Sequence, residues 1–229
     1  MDRPSLIPSL IVTGVAVCAV GPIAAYAGVT PGQVDNFQDG TTLGWSVGGA
    51  HPAPPANVAD GGPGGMGDAY LRLTATGGQG SGSRFAAFNS TQWAGDYTSA
   101  GGTGLSMDVQ NLGPDDAFLR LRFWDPVGGN IAITEGAFVP AGSGWVSIAF
   151  AVDAASLTAL TGTAAGAVSN AAELRLFHNP SPDYPLPPIG PPPVSLVLGV
   201  DNIRAVPGPA APVLAALALG GAVGWRRRR

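Results

Sequence analysis

From residue 69 onward the chain runs in short segments that alternate apolar and polar residues, separated by clusters of Gly, Pro, Asp and Asn. A period of two marks a strand with one face buried. Tyr70-Leu71-Arg72-Leu73-Thr74 has this period, and so does Leu105-Ser106-Met107-Asp108-Val109. In Phe118-Leu119-Arg120-Leu121-Arg122-Phe123-Trp124 it puts Leu119, Leu121 and Phe123 on one face and Phe118, Arg120, Arg122 and Trp124 on the other. One side is core; the other carries cations and rings. Further strands are expected over 131–139, 145–152, 173–177 and 194–206, with 36–47 and 84–88 supplying the earlier ones. A short helix is expected over 153–162, with Asp153 as its N-cap and Gly162 as its stop. About eight strands with turn signals at this spacing predict an all-β fold, a two-sheet antiparallel β-sandwich of jelly-roll type.

Both ends break the pattern. Met1-Asp2-Arg3 is followed by an apolar run over 10–20 and by Ala25-Tyr26-Ala27 before Gly28. That is the charged start, apolar centre and small-x-small site of a secretory signal peptide, with Ala25 and Ala27 flanking the cut by signal peptidase. At the other end Val206-Pro207-Gly208-Pro209 precedes sixteen largely apolar residues, 210–225, and then Arg226, Arg227, Arg228 and Arg229. A helix of that length spans about 24 Å against a hydrocarbon core of about 30 Å, a short or transient span. The terminal arginines hold their end in the cytoplasm, so the domain belongs on the far side of the membrane. The order of proline motif, short apolar helix and arginine cluster resembles the PEP-CTERM sorting signal. The resemblance implies an exosortase-type membrane protease as partner and a chain held in the inner membrane before processing. The usual Val-Pro-Glu-Pro here lacks its glutamate. The organisation expected is a signal peptide over 1–27, a β-sandwich domain over 28–205 and a sorting signal over 206–229.

Composition narrows the central domain. Its six arginines stand against fourteen acidic residues with no lysine, a formal charge of −8 that repels phosphate backbones, so nucleic acid is not an expected partner. The single cysteine, Cys18, lies in the first segment, which leaves the domain without thiols or disulfides. Gly and Pro are abundant, 35 and 22 of 229 residues, and eight of the prolines fall within 180–193, an extended stiff loop.

The opening Val34-Asp35-Asn36-Phe37-Gln38-Asp39-Gly40, the Gly44-Trp45 after it, the second-strand Gly67-Asp68-Ala69-Tyr70-Leu71-Arg72-Leu73 and the final Val200-Asp201-Asn202-Ile203 are similar to carbohydrate-binding-module jelly rolls. The stretch 91–109 also resembles laminin-B-type domains. The first resemblance implies a structural calcium between the first and last strands, and the matching positions are Gln38, Asp39, Asp68 and Asp201. Calcium takes six to eight oxygens, carboxylates among them. Alternatively, Asp201 caps a turn or pairs with an arginine.

Gly44-Trp45-Ser46-Val47-Gly48 has the letters of a nucleophile elbow, but no helix follows it, and the elbow needs one. His51 and His178 stand far apart without a second ligand at metal spacing, and nothing brings Glu135 and Glu173 together as a glycosidase pair. No catalytic residue is assigned. Sugar binding calls for ring faces beside amides or charges. The residues offering these are Trp124 with Arg120 and Arg122, then Trp93, Tyr97, His178, Asn179 and Tyr184. The function expected is an exported, non-catalytic surface or matrix protein that binds polysaccharide. A structural envelope protein without a discrete site is the alternative, and a secreted esterase or glycosidase the distant one.

Overall fold

The computed structural model describes residues 29–78, 80–99, 103–180 and 192–207. Ala25, Ala27, Tyr184, Pro209 and the four terminal arginines lie outside the described residues, as does most of the proline-rich segment. The described chain folds as β1 (Val34–Asp35), β2 (Ala56–Val58), β3 (Tyr70–Thr76), β4 (Ala86–Asn89), β5 (Thr103–Asn111), β6 (Ala117–Asp125), β7 (Asn130–Ile133), β8 (Ala137–Val139), β9 (Val146–Val152), β10 (Thr158–Thr161), α1 (Ala164–Ser169), β11 (Glu173–His178) and β12 (Ser195–Pro207). The strands form two antiparallel sheets packed as a sandwich. The first runs β2-β3-β12-β5-β9 with β1 on β12, and the second runs β10-β7-β6-β11-β4 with β8 on β6.

One long strand organises each sheet. Along one edge of β12, β3 pairs with 195–200 and β1 with 203–204. Along one edge of β6, β8 pairs with 117–119 and β7 with 122–125. Alternation then sends Leu71, Leu73, Met107, Val109, Leu119, Leu121, Phe123, Leu174, Leu176, Leu198 and Val200 into one buried core between the sheets. Each side chain so buried contributes roughly 1.5–3 kcal/mol, which lets an acidic, thiol-free domain fold without staples. Among the described residues no helix is long and apolar enough to cross a membrane.

Four details depart from the sequence pattern. Residues 36–47 do not form a strand, because Phe37 (φ 56°) and Leu43 (φ 48°) adopt the left-handed conformation and turn the chain. The run 131–139 divides into β7 and β8. The helix lies at 164–169, not 153–162: Asp153 caps a single turn, accepting from the Ala155 and Ser156 backbone N–H groups at 3.0 Å, before 158–161 pairs with β7 as β10. Thr163 is the true N-cap, its hydroxyl accepting from Gly166 N–H at 3.0 Å. Finally, Val206 and Pro207 belong to β12, paired with Gly104 and Thr103, so the sheet runs into the first half of the proline motif.

Candidate functional site

The outer face of the second sheet carries a continuous row of rings and charges. Register places Glu173 beside Trp124 and Arg175 beside Arg122, and on the other edge Arg175 beside Phe88. Glu173 Oε1 accepts from Arg122 Nη2 at 3.2 Å and from Arg175 at 2.9 Å (Nε) and 2.8 Å (Nη2). The Arg122 guanidinium carbon lies 5.7 Å from the Trp124 ring centroid, and that of Arg175 lies 5.5 Å from Phe88. The order along the row is ring, cation, carboxylate, cation, ring. Glu173 is only 7% exposed, and a carboxylate so buried persists only with its charge met, here by two guanidiniums.

Beside Arg175 the face opens into a cavity of about 470 Å³ whose lining includes Val47, His51, Arg84, Phe88, Arg175 and Pro193. Backbone hydrogen bonds fix its walls. Ser46 and Phe88 exchange bonds of 3.0 and 2.9 Å, Thr76 N–H donates to Gly82 O at 2.7 Å, and Val194 N–H donates to Ser83 O at 3.0 Å. Gly82 (φ 79°) is required where the walls meet, since a Cβ there would lie 2.9 Å from His51 Nε2. His51 Nδ1 accepts from Ala53 N–H at 3.0 Å, which leaves the Nε2 side of the ring to donate. Ser46 therefore sits in a strand-like bridge with Phe88, not on an elbow.

Of the residues singled out for sugar binding, the structure brings Trp124 and Arg122 together on this sheet, with Trp124 half-buried and Arg122 only 7% exposed. It corrects five others. Trp93 and Tyr97 are fully buried core rings with no face to offer: Trp93 Nε1 donates to Asp35, and the Tyr97 hydroxyl donates to Trp93 O at 2.6 Å. Arg120 is buried and its guanidinium is taken up, donating to Asn179 O and Thr134 O at 3.0 Å each, with Glu135 4.0 Å away. His178 accepts from Phe118 N–H at 3.1 Å, and burial holds its imidazole below the ordinary value and so neutral. Asn179 is 2% exposed. Arg175, Glu173, Phe88 and Arg84 were not singled out. Glu173-Leu174-Arg175 carries the alternation that puts both charges on one face, but only register shows what they meet.

Asp35 was also missed. It is 3% exposed, and its Oδ2 accepts from the indoles of Trp45 at 2.9 Å and Trp93 at 2.7 Å and from Gln92 Nε2 at 3.0 Å. Burial raises its pKa, and the three donors oppose that rise.

The implied calcium ligands divide. Asp39 is taken up by its own turn, accepting from the Thr41 N–H and hydroxyl at 2.9 Å. Gln38 Nε2 donates to Asp68 Oδ1 at 2.7 Å, and Asp68 Oδ2 accepts from Gly64 N–H at 2.6 Å. Asp201, at the bulge of β12 opposite Asp108, is 1% exposed, and its Oδ1 is buried with no hydrogen-bond partner. Burial, with the charges of Asp68 and Asp108, pushes it up to about 7. Such an oxygen is what a divalent cation relieves, so Asp201 fits the implied calcium, whereas the oxygens of Asp39 and Asp68 already accept hydrogen bonds. Among the described residues no three carboxyl or imidazole groups form a ready metal cluster.

No family model matches the chain, and no curated protein matches it. Solved structures do. An exo-beta-agarase matches at a TM-score of 0.55 and 14% identity, over 79% of this chain and 26% of the agarase. The family 11 carbohydrate-binding module of a cellulosomal cellulase of Clostridium thermocellum matches at a TM-score of 0.50 and 14% identity, over 80% of this chain and 97% of the module. This chain thus spans about a quarter of the agarase and nearly the whole module. At such identity the likeness shows the fold, a carbohydrate-binding-module type of jelly roll.

Proposed function

We propose that the protein is an exported, non-catalytic surface or matrix protein that binds polysaccharide on the outer face of its second sheet. The row from Trp124 through Arg122, Glu173 and Arg175 to Phe88 carries the reading. Ring faces take the apolar face of a sugar, and Arg175, the part-exposed cation of the row, hydrogen-bonds its hydroxyls while Arg122 and Glu173 brace it from below. The sandwich shared with a carbohydrate-binding module supports it. Calcium, held at Asp201 with Asp68 and Asp108 near it, would supply fixed positive charge where three acidic side chains crowd the bulge of β12. In this reading signal peptidase removes 1–27, and an exosortase-type protease processes the tail. β12 keeps Val206 and Pro207, so we place that cut beyond Pro207.

Affinity electrophoresis through gels cast with neutral and acidic polysaccharides tests the binding. The protein is expected to be retarded in at least one gel, and Trp124→Ala to weaken that retardation at least tenfold while keeping its melting temperature. A Trp124→Ala variant retarded like the parent would contradict the assigned face.

A further inference from the structure

The cavity beside Arg175 differs in charge from the rest of the domain. The domain holds fourteen acidic residues against six arginines, yet among the described residues the cavity lining includes Arg84, Arg175 and His51 and no carboxylate. Arg84 is exposed and makes no ion pair among the described residues. Arg175 uses Nε and Nη2 on Glu173, so among the described residues its Nη1 edge is left for another acceptor. Nε2 of His51 adds a third donor, since Nδ1 is occupied by Ala53. Val47 and Pro193 supply apolar wall, and Phe88 lies under Arg175. The volume, about 470 Å³, falls inside the roughly 300–1,000 Å³ of small-molecule sites. Guanidinium forks match the planar oxygens of a carboxylate or the oxygens of a sulfate, and they bind anions more selectively than hydroxyls.

We propose that this cavity takes an acidic sugar unit, a uronic-acid carboxylate or a sulfate ester, so that the polysaccharide bound on the second sheet is an acidic one. The proposal rests on the polysaccharide reading and gives it a substrate class. The acidic remainder of the domain repels a polyanion except at this end of the face, so recognition is local: one anionic substituent in the cavity, with the neighbouring sugar rings towards Trp124. Neutral glycans leave Arg84 and the free edge of Arg175 without partners, which is the basis of discrimination.

Equilibrium binding of the intact protein to a polyuronate, a sulfated galactan and a neutral β-glucan tests this, with Arg84→Gln beside the parent. Arg84 is exposed at a bend before β4, and a thermal melt confirms that the variant folds. The expected result is a preference of at least tenfold for one or both acidic polymers over the neutral one. In Arg84→Gln the ratio of acidic to neutral affinity should fall about tenfold, and roughly 0.5 M salt should erode it similarly. The two sources separate by pH. Preference for a polyuronate is lost as its carboxylates protonate, whereas preference for a sulfated polymer persists; either pattern supports the proposal. Preference for the neutral polymer, or an unchanged ratio in Arg84→Gln, overturns it and leaves polysaccharide binding standing. Binding to none of the polymers overturns both.

Discussion

Asp35 and Asp201 are both buried carboxylates of the first sheet, with opposite surroundings. Asp35 has three donors on one oxygen, so it ties β1 to the loops that carry Trp45 and Trp93. Removing it in Asp35→Ala leaves two buried indole N–H groups without their acceptor, at about 1–3 kcal/mol each. Thermal unfolding followed by tryptophan fluorescence should show a fall of roughly 5–15 °C; a fall below about 2 °C would contradict that role. Asp201 instead has an oxygen with no donor and stands near Asp68 and Asp108, and its pKa is pushed up to about 7 from the ordinary 3.8. A carboxyl raised on folding favours the folded state fully below about pH 4, and that contribution is lost as pH climbs through 7. In chelator the melting temperature should therefore drop by several degrees between pH 5 and pH 8. Calcium should restore it at pH 8, and Asp201→Asn should abolish both the drop and the calcium effect. No response to calcium at pH 8 would remove the metal from the account.

At the scale of elements, the alternation in β6 gave its two faces directly, with Leu119, Leu121 and Phe123 inward and Trp124 outward. What a one-dimensional pattern lacks is register. Which residue of β11 stands beside Arg122, and which of β4 beside Arg175, is settled by pairing between segments some 50 or more residues apart, so the Arg–Glu–Arg network was not legible. The same gap misassigned Trp93, whose local sequence is as polar as a surface loop but whose ring is drawn into the core by Asp35. Turn geometry was hidden too, in the left-handed Phe37 and Leu43 that end the expected first strand. The network makes its own prediction. Glu173→Ala removes the anion shared by two guanidiniums and should cost about 3 kcal/mol by denaturant unfolding. Glu173→Ala with full parental stability would mean that the pair is not the brace of this face.

At the scale of the whole molecule, the sandwich leaves two outer faces with different equipment. On the first sheet Trp145 packs edge-on against Tyr70, centroids 5.4 Å apart, and donates to Gly61 O at 3.0 Å, acting as a latch for a glycine-rich loop. On the second, rings and guanidiniums stand in a row that ends at a cavity. The central claim is that polysaccharide lies along the second face. A titration of nitrogen-15-labelled protein with oligosaccharides of the polymer it binds, read at the indole and guanidinium N–H signals, tests this most directly. The account predicts shifts at Trp124, Arg122, Arg175 and Arg84, with Trp45, Trp93 and Trp145 still. Shifts centred on Trp145, or none at Trp124, would contradict it.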